Sequence, residues 1–120
     1  MTSIGRSKRI EAFDAAMAEA GQLVAADRLR GAFAALELAH VLGQCDFGRH
    51  LRVHWSMLRV GMGLADRREV MGQWMRIALV PLGHLFGRLP AGNTGGANVN
   101  AFEPMPISPE IAHLLREDDR

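Results

Sequence analysis

Four residues of this 120-residue chain have the side chains and the spacing for chemistry: Glu37, His40, His50 and His54. The first two form a Glu-x-x-His pair, and the last two form a His-x-x-x-His pair. Residues three or four positions apart lie on one face of an α-helix, so each pair can present two ligands together. Carboxylate and imidazole groups bind zinc and similar divalent ions. The two spacings therefore predict a metal site.

A turn-like segment containing Asp46 and Gly48 separates the two pairs. Suppose that the two helices form an antiparallel hairpin with its turn centred near Asp46. Residues at equal distances before and after Asp46 then lie opposite each other, for example His40 and Arg52. The three histidines then lie within about one helical turn of each other, and the glutamate stays within reach. We expect the four side chains to share one pocket. Gln44 and Cys45 are available as replacement ligands or as hydrogen-bond partners of the ligands.

Other interpretations of the same residues remain open. In a purely structural arrangement, His40 is satisfied in the core, His50 lies on the surface in the first turn of its helix, and Glu37 pairs with an arginine or with His54. The protein is then a helical-hairpin module for protein–protein interaction. A third interpretation is a site for haem or an organic ligand, with Met57 beside the histidines as an iron ligand. His84 and His113 fall outside the paired spacings and are not expected to bind metal.

Catalysis has less support. Cys45 lies near the histidines, but no signature of a thiolate nucleophile surrounds it, and an inert cysteine in a turn is expected. The glycine-rich run at 92–96 follows no predicted strand and lacks the lysine and serine of a P-loop. We expect a structural loop there, with a positive φ at Gly95 or Gly96. No catalytic residue is predicted, and the chain is not expected to be an enzyme.

The positions that carry these groups belong to an all-α pattern. Apolar residues recur every three or four positions over about 7–21, 25–43 and 49–63, which predicts three helices. A fourth helix should begin after an N-cap at Asp66, and Pro81 should bend or end it. Glycine breaks before the second and fourth helices predict two antiparallel hairpins, arranged as in tetratricopeptide repeats or as a closed bundle. The core is expected to include the tryptophans and methionines of the third and fourth helices: Trp55, Met57, Met62, Met71, Trp74 and Met75.

One domain, 1–120, is expected, since this length and an apolar content of 48% suit a single packed core. The helical region should cover about 4–87, followed by an irregular segment rich in Gly, Asn and Pro over about 88–107. A short helix over about 108–116 should begin at Ser108 as N-cap, with Pro109 at the first helical position.

Charge and composition exclude several function classes. The 14 basic and 13 acidic residues give a net charge of +1, so no nucleic-acid partner is expected. No apolar run is long enough to span a membrane, and none resembles a signal peptide. With one cysteine and no internal disulfide possible, a cytoplasmic location is expected. A protein partner or a second copy of the chain stays open.

Several runs spread over most of the chain carry a family resemblance: LELAHVLGQ at 36–44, His50, HW at 54–55, ML at 57–58, REV at 68–70, GQ at 72–73, GNTGGANV at 92–99 and PMP at 104–106. Together they resemble a small bacterial family, domain of unknown function 3703, and the run at 92–99 is the most specific mark. The resemblance implies a compact helical bacterial protein. It implies no activity, substrate, cofactor or catalytic residue.

Overall fold

The computed structural model describes the backbone of residues 4–118 and the side chains of residues 8–116. This part of the chain forms five α-helices: α1 (Ile4–Ala25), α2 (Leu29–Gly43), α3 (Phe47–Gly63), α4 (Arg67–Phe86) and α5 (Pro109–Asp118). No strand occurs within residues 4–118. The predicted all-α fold with four main helices and a short final helix is confirmed, although α1 extends beyond both of its predicted ends.

The helices pack in the order of the chain. Extensive contacts join α1 to α2, α2 to α3 and α3 to α4, while α5 returns to pack on α1. Small side chains on α1 and α2 let these helices approach closely. The core contains these buried residues: Phe13, Ala16, Ala20, Ala32, Ala35, Leu36, Ala39, Leu42, Val53, Met57 and Val60. This order of contacts is that of two helical hairpins stacked side by side.

The two hairpins turn in the same way. Asp27 after α1 and Ala65 after α3 have positive φ angles of 57° and 54°. In each case the amide of the next residue, Arg28 or Asp66, donates to a carbonyl five positions back. This is the Schellman closure of a helix end. The break predicted at Gly21 is wrong, because α1 continues through it to Ala25, whereas Gly63 is the last residue of α3.

The buried face of α3 differs from the predicted one. Val53, Met57 and Val60 are buried, whereas Trp55 and Met62 are half exposed. Because α2 and α4 both pack on α3, the face that they cover is the one carrying the histidines. The most apolar stripe of the helix, predicted from the sequence, consists of Leu51, Trp55, Leu58 and Met62, and of these only Leu58 is buried. The prediction that the tryptophans and methionines lie in the core is confirmed for Met57 and wrong for five residues, all exposed: Trp55, Met62, Met71, Trp74 and Met75.

Helix α4 begins and ends with recognisable caps. The carboxylate of Asp66 accepts a hydrogen bond from the amide of Glu69, as predicted. The helix does not end at Pro81, which lies on its exposed side, but continues to Phe86 and closes on Gly87 with φ of 68°. None of the helices in the described part of the chain is long and apolar enough to cross a membrane.

The irregular segment 88–108 is an ordered loop that crosses the side of the molecule formed by α2, α3 and α4. Asn93 is fully buried and holds the loop together, since its amide donates to the carbonyls of Asn100 and Glu103 and its oxygen accepts from the amide of Gly95. Gly95 has φ of 83°, which confirms the predicted positive φ at one of the two adjacent glycines.

Candidate metal centre

Three buried imidazoles meet at one point between α2, α3 and the loop 88–108. The Nε2 atom of His40 lies 3.1 Å from Nε2 of His50 and 3.1 Å from Nε2 of His54. The Nε2 atoms of His50 and His54 are 3.2 Å apart. The structure therefore brings together three of the four predicted ligands, and the same ring nitrogen of each faces the other two.

Helix geometry and a buried arginine explain this convergence. His40 lies in the last turn of α2, while His50 and His54 lie one turn apart on one face of α3. The guanidinium of Arg9, which is buried, donates to the last turn of α2 and lies 2.9 Å from the carboxylate of Asp46, the residue preceding α3. This contact holds the end of one histidine-bearing helix against the start of the other.

The outer nitrogens of two imidazoles face oxygen atoms that can only accept. Nδ1 of His40 lies 2.6 Å from the backbone carbonyl oxygen of Asn93, and Nδ1 of His54 lies 2.7 Å from Oε1 of Gln73. The amide nitrogen of Gln73 donates to a carboxylate and to a backbone carbonyl, which fixes its orientation. Both Nδ1 atoms therefore carry the proton, and the Nε2 atoms of neutral His40 and His54 have none.

The outer nitrogen of His50 faces a fourth histidine. Its Nδ1 lies 2.9 Å from Nε2 of His84, which comes from the last turn of α4. One proton lies between these two nitrogens, and either ring can donate it. When His50 donates, its own Nε2 is also unprotonated, and three lone pairs converge. Partners of this kind orient the ring and set the tautomer of metal-binding histidines.

Burial favours the neutral form of all three imidazoles. Desolvation is the largest cause that lowers the pKa of His40 to about 3, that of His50 to about 2 and that of His54 to about 4. Neighbouring imidazoles lower the pKa of His40 and His50 further. Because metal ions bind the neutral form, no proton has to leave an imidazolium at neutral pH.

The triangle of nitrogens fits a tetrahedral ion with one open position. Zinc–nitrogen bonds of about 2.0 to 2.1 Å at tetrahedral angles place ligand nitrogens about 3.3 Å apart, close to the spacing found here. The three imidazoles also line a cavity of about 40 Å³, together with the polar side chains of Gln44, Arg76 and Asn93. Three protein nitrogens and a free position are typical of zinc sites that accept a water molecule or another small ligand.

The structure does not bring Glu37 into this group. Its side chain lines a separate cavity with Phe33, Glu69 and Asn98. Residues three positions apart on a helix differ by about 60° in direction, and here that difference places Glu37 and His40 beside different neighbours. Burial raises the pKa of the Glu37 carboxyl. The expected pairing of Glu37 with His54 is also replaced, because His54 binds Gln73.

The two other candidate groups also separate. Gln44 is buried and lines the cavity beside the imidazoles, whereas Cys45 is exposed and its sulfur lies 3.9 Å from the carboxylate of Asp46. The expected role beside the ligands therefore remains with Gln44 alone.

Sequence reasoning missed three contributors to the site. His84 and Gln73 on α4 hold two of the ligands, and the loop supplies the carbonyl of Asn93. A signal for Gln73 was present, because its spacing of four from Glu69 places the two side chains on one face of α4. No local pattern indicates a backbone carbonyl that comes from a loop more than fifty residues away.

Comparison with known proteins identifies the family to which the chain belongs. Residues 7–115 match a family model described as "Protein of unknown function (DUF3703)". No curated protein and no solved structure matches the chain.

Proposed function

Because the chain belongs to the DUF3703 family, whose description assigns no activity, we propose a function from the geometry of the site: the protein binds one divalent transition-metal ion through Nε2 of His40, His50 and His54. The observation that carries the proposal is the set of Nε2–Nε2 distances of 3.1 to 3.2 Å. At least two of these nitrogens have lone pairs and no proton, so their close approach is unfavourable without a shared cation or proton.

The donor set favours particular metals. All three donors are neutral imidazoles, which suit zinc, cobalt, nickel and copper better than magnesium or calcium. Cys45 lies on the surface, so no thiolate contributes softness to the site. Zinc tolerates a tetrahedral site with one exchangeable position, and it is the ion that this geometry fits best. We place the protein among metal-binding accessory proteins, with the role of holding the ion.

Calorimetric titration of the chelator-treated protein with zinc tests this function. We expect one ion per chain, and we expect His40→Ala and His54→Ala each to abolish most of the binding. His113→Ala serves as the matched control, since His113 is exposed on α5, and it should leave the binding unchanged. Absence of stoichiometric binding by zinc, cobalt and nickel would overturn the proposal and leave the structural histidine network.

A second candidate function is favoured by a different surface. The outer side of α3 and α4 exposes a pair of perpendicular indoles, Trp55 and Trp74, with ring centroids 6.0 Å apart. The one carboxylate on the same two helices, Glu69, is buried. These helices also carry four exposed arginines: Arg52, Arg59, Arg67 and Arg68. A cationic surface with aromatic anchors suits an acidic protein segment.

Binding of an acidic amphipathic peptide, followed by tryptophan fluorescence, tests this second function. We expect the indole emission to shift on binding, and the affinity to fall with salt because exposed charges are screened. Trp74→Ser should weaken binding without affecting zinc. A response to anionic lipid vesicles and none to the peptide would assign this surface to membranes instead.

A further inference from the structure

Within the described residues, no negatively charged side chain lines the cavity beside the three imidazoles. Its lining residues include two arginines, Arg76 and Arg88. Glu37, the carboxylate expected from the sequence to be the fourth ligand, faces another cavity. A divalent ion on three neutral imidazoles would therefore place two positive charges beside cationic side chains, which is costly unless an anion accompanies the ion.

Arg76 supplies a donor for such an anion. Arg76 is 6% exposed, and its two terminal nitrogens donate to the backbone carbonyls of Gly72 and Val99. The third nitrogen, Nε, is buried and has no hydrogen-bond partner among the described residues. A buried unpaired N–H of a charged group is unfavourable, so a ligand that accepts from it gains stability.

The charge of Arg76 also acts on the metal ligands. Arg76 lines the same cavity as His40 and His54, so it repels any positive charge placed at either imidazole. A bound metal would experience the same repulsion. Glu69 compensates Arg76 in part, but its Oε2 already accepts from Gln73 and from the amide of Ala97. The cavity side of Arg76 stays without a counter-charge.

From these observations we infer that the open metal position binds a small oxyanion, which accepts a hydrogen bond from Arg76 through a second oxygen. The inference rests on the proposed metal site. The cavity volume of about 40 Å³ sets the size of the anion, because a buried water occupies about 10 to 15 Å³ on the same measure. Formate, acetate and bicarbonate are small enough for this volume.

Metal binding and anion binding then reinforce each other. The anion neutralises charge beside the metal, and the metal supplies the ligand bond that holds the anion. By linkage, the factor by which the anion tightens metal binding equals the factor by which the metal tightens anion binding. We expect acetate or bicarbonate to increase the zinc affinity by about tenfold or more, as a charge-assisted hydrogen bond and a neutralised ion pair imply.

Absorption spectra of the cobalt-loaded protein test the inference, since the visible bands of cobalt change with its ligands. Formate, acetate and bicarbonate are added separately in a sulfonate buffer that does not coordinate the metal. We expect a saturable change with at least one of the three, and Arg76→Met should weaken that anion by about tenfold while cobalt still binds. Arg88→Met is the matched control, because Arg88 lines the same cavity but is exposed, and it should have a smaller effect.

The outcomes separate the two proposals. If cobalt binds but no anion changes its spectrum, this inference is wrong and the metal site stands. The same holds if the wild type and Arg76→Met bind the anion with equal affinity. Failure to bind zinc, cobalt and nickel overturns both proposals. If Arg76→Met does not fold, the wild type alone decides, because a zinc affinity that is equal with and without saturating anion excludes the coupling.

Discussion

Gly95 lies directly against the imidazole ring of His40. A Cβ added at this glycine would stand 2.5 Å from Cδ2 of the ring. The same residue holds φ of 83°, and its carbonyl accepts from Gln73, the residue that orients His54. Gly95 therefore has a backbone conformation that glycine adopts most easily. It also contacts His40 directly and His54 through Gln73.

Gly95→Ala should therefore damage the metal site more than the fold. The left-handed conformation costs alanine about 1 to 2 kcal/mol, and the clash displaces His40 in addition. We expect the free energy of unfolding to fall and zinc affinity to drop by about tenfold or more.

The control for this substitution is Gly87→Ala. Gly87 has φ of 68°, but nothing lies within 4 Å of its added Cβ. Its variant should show the conformational cost without the loss of zinc affinity. Equal zinc affinities in both variants and the wild type would show that the loop does not position His40.

His84→Ala should weaken zinc binding even though His84 does not face the ion. Its Nε2 lies 2.9 Å from Nδ1 of His50, and loss of such a partner costs about 10- to 100-fold in metal affinity. His84→Gln supplies an amide oxygen that can accept from Nδ1 of His50, and it should recover part of the affinity. His113→Ala is again the control. A wild-type affinity in His84→Ala would support the spacing-based expectation that this histidine plays no part.

The fold follows from local patterns for the most part. Periodic apolar residues located the helices, and Asp66 marked the start of α4 because a carboxylate satisfies a free amide at a helix end. The buried face of α3 could not be derived in this way. Trp55 and Met62 are more apolar than the histidines, but the packing of α2 and α4 decides which face is covered, and that is a property of the whole chain.

The candidate site shows the same division. The spacing of His50 and His54, with His40 across a short turn, was enough to predict that three imidazoles approach each other. The place of Glu37 depends on a rotation of about 60° around α2, which spacing alone does not resolve. The contacts of Asn93 and Arg76 depend on the path of the loop, for which the sequence indicated only irregular structure.

Acid should destabilise the metal-free protein. The pKa values of the three buried imidazoles are lowered to between about 2 and 4, so the unfolded state binds more protons than the folded state below about pH 6.5. Stability is therefore fully present above that pH and is lost as the pH falls below it. Three such groups predict a loss of up to about 4 kcal/mol between pH 7 and pH 5.5.

Urea unfolding at several pH values measures this loss. His54→Leu should reduce the slope, because one imidazole no longer titrates. Met71→Leu is the control, because Met71 is exposed and the substitution changes no titratable group, and it should leave the slope unchanged. A free energy of unfolding that stays constant from pH 7 to pH 5.5 would show that the imidazoles already carry protons in the folded protein.

Two carboxylates that line one cavity should differ in their effect on the metal. Glu37 and Glu69 both face that cavity, but only Glu69 continues to a ligand, since its Oε2 accepts from the amide of Gln73 and Gln73 accepts from His54. Glu69→Gln should therefore lower zinc affinity by about tenfold, as the loss of an outer hydrogen-bond partner does in metal sites. Glu37→Gln preserves size and should leave zinc affinity unchanged. If Glu37→Gln weakens zinc as much as His54→Ala does, the glutamate moves into the site on metal binding, and the four-ligand arrangement expected from the sequence is restored.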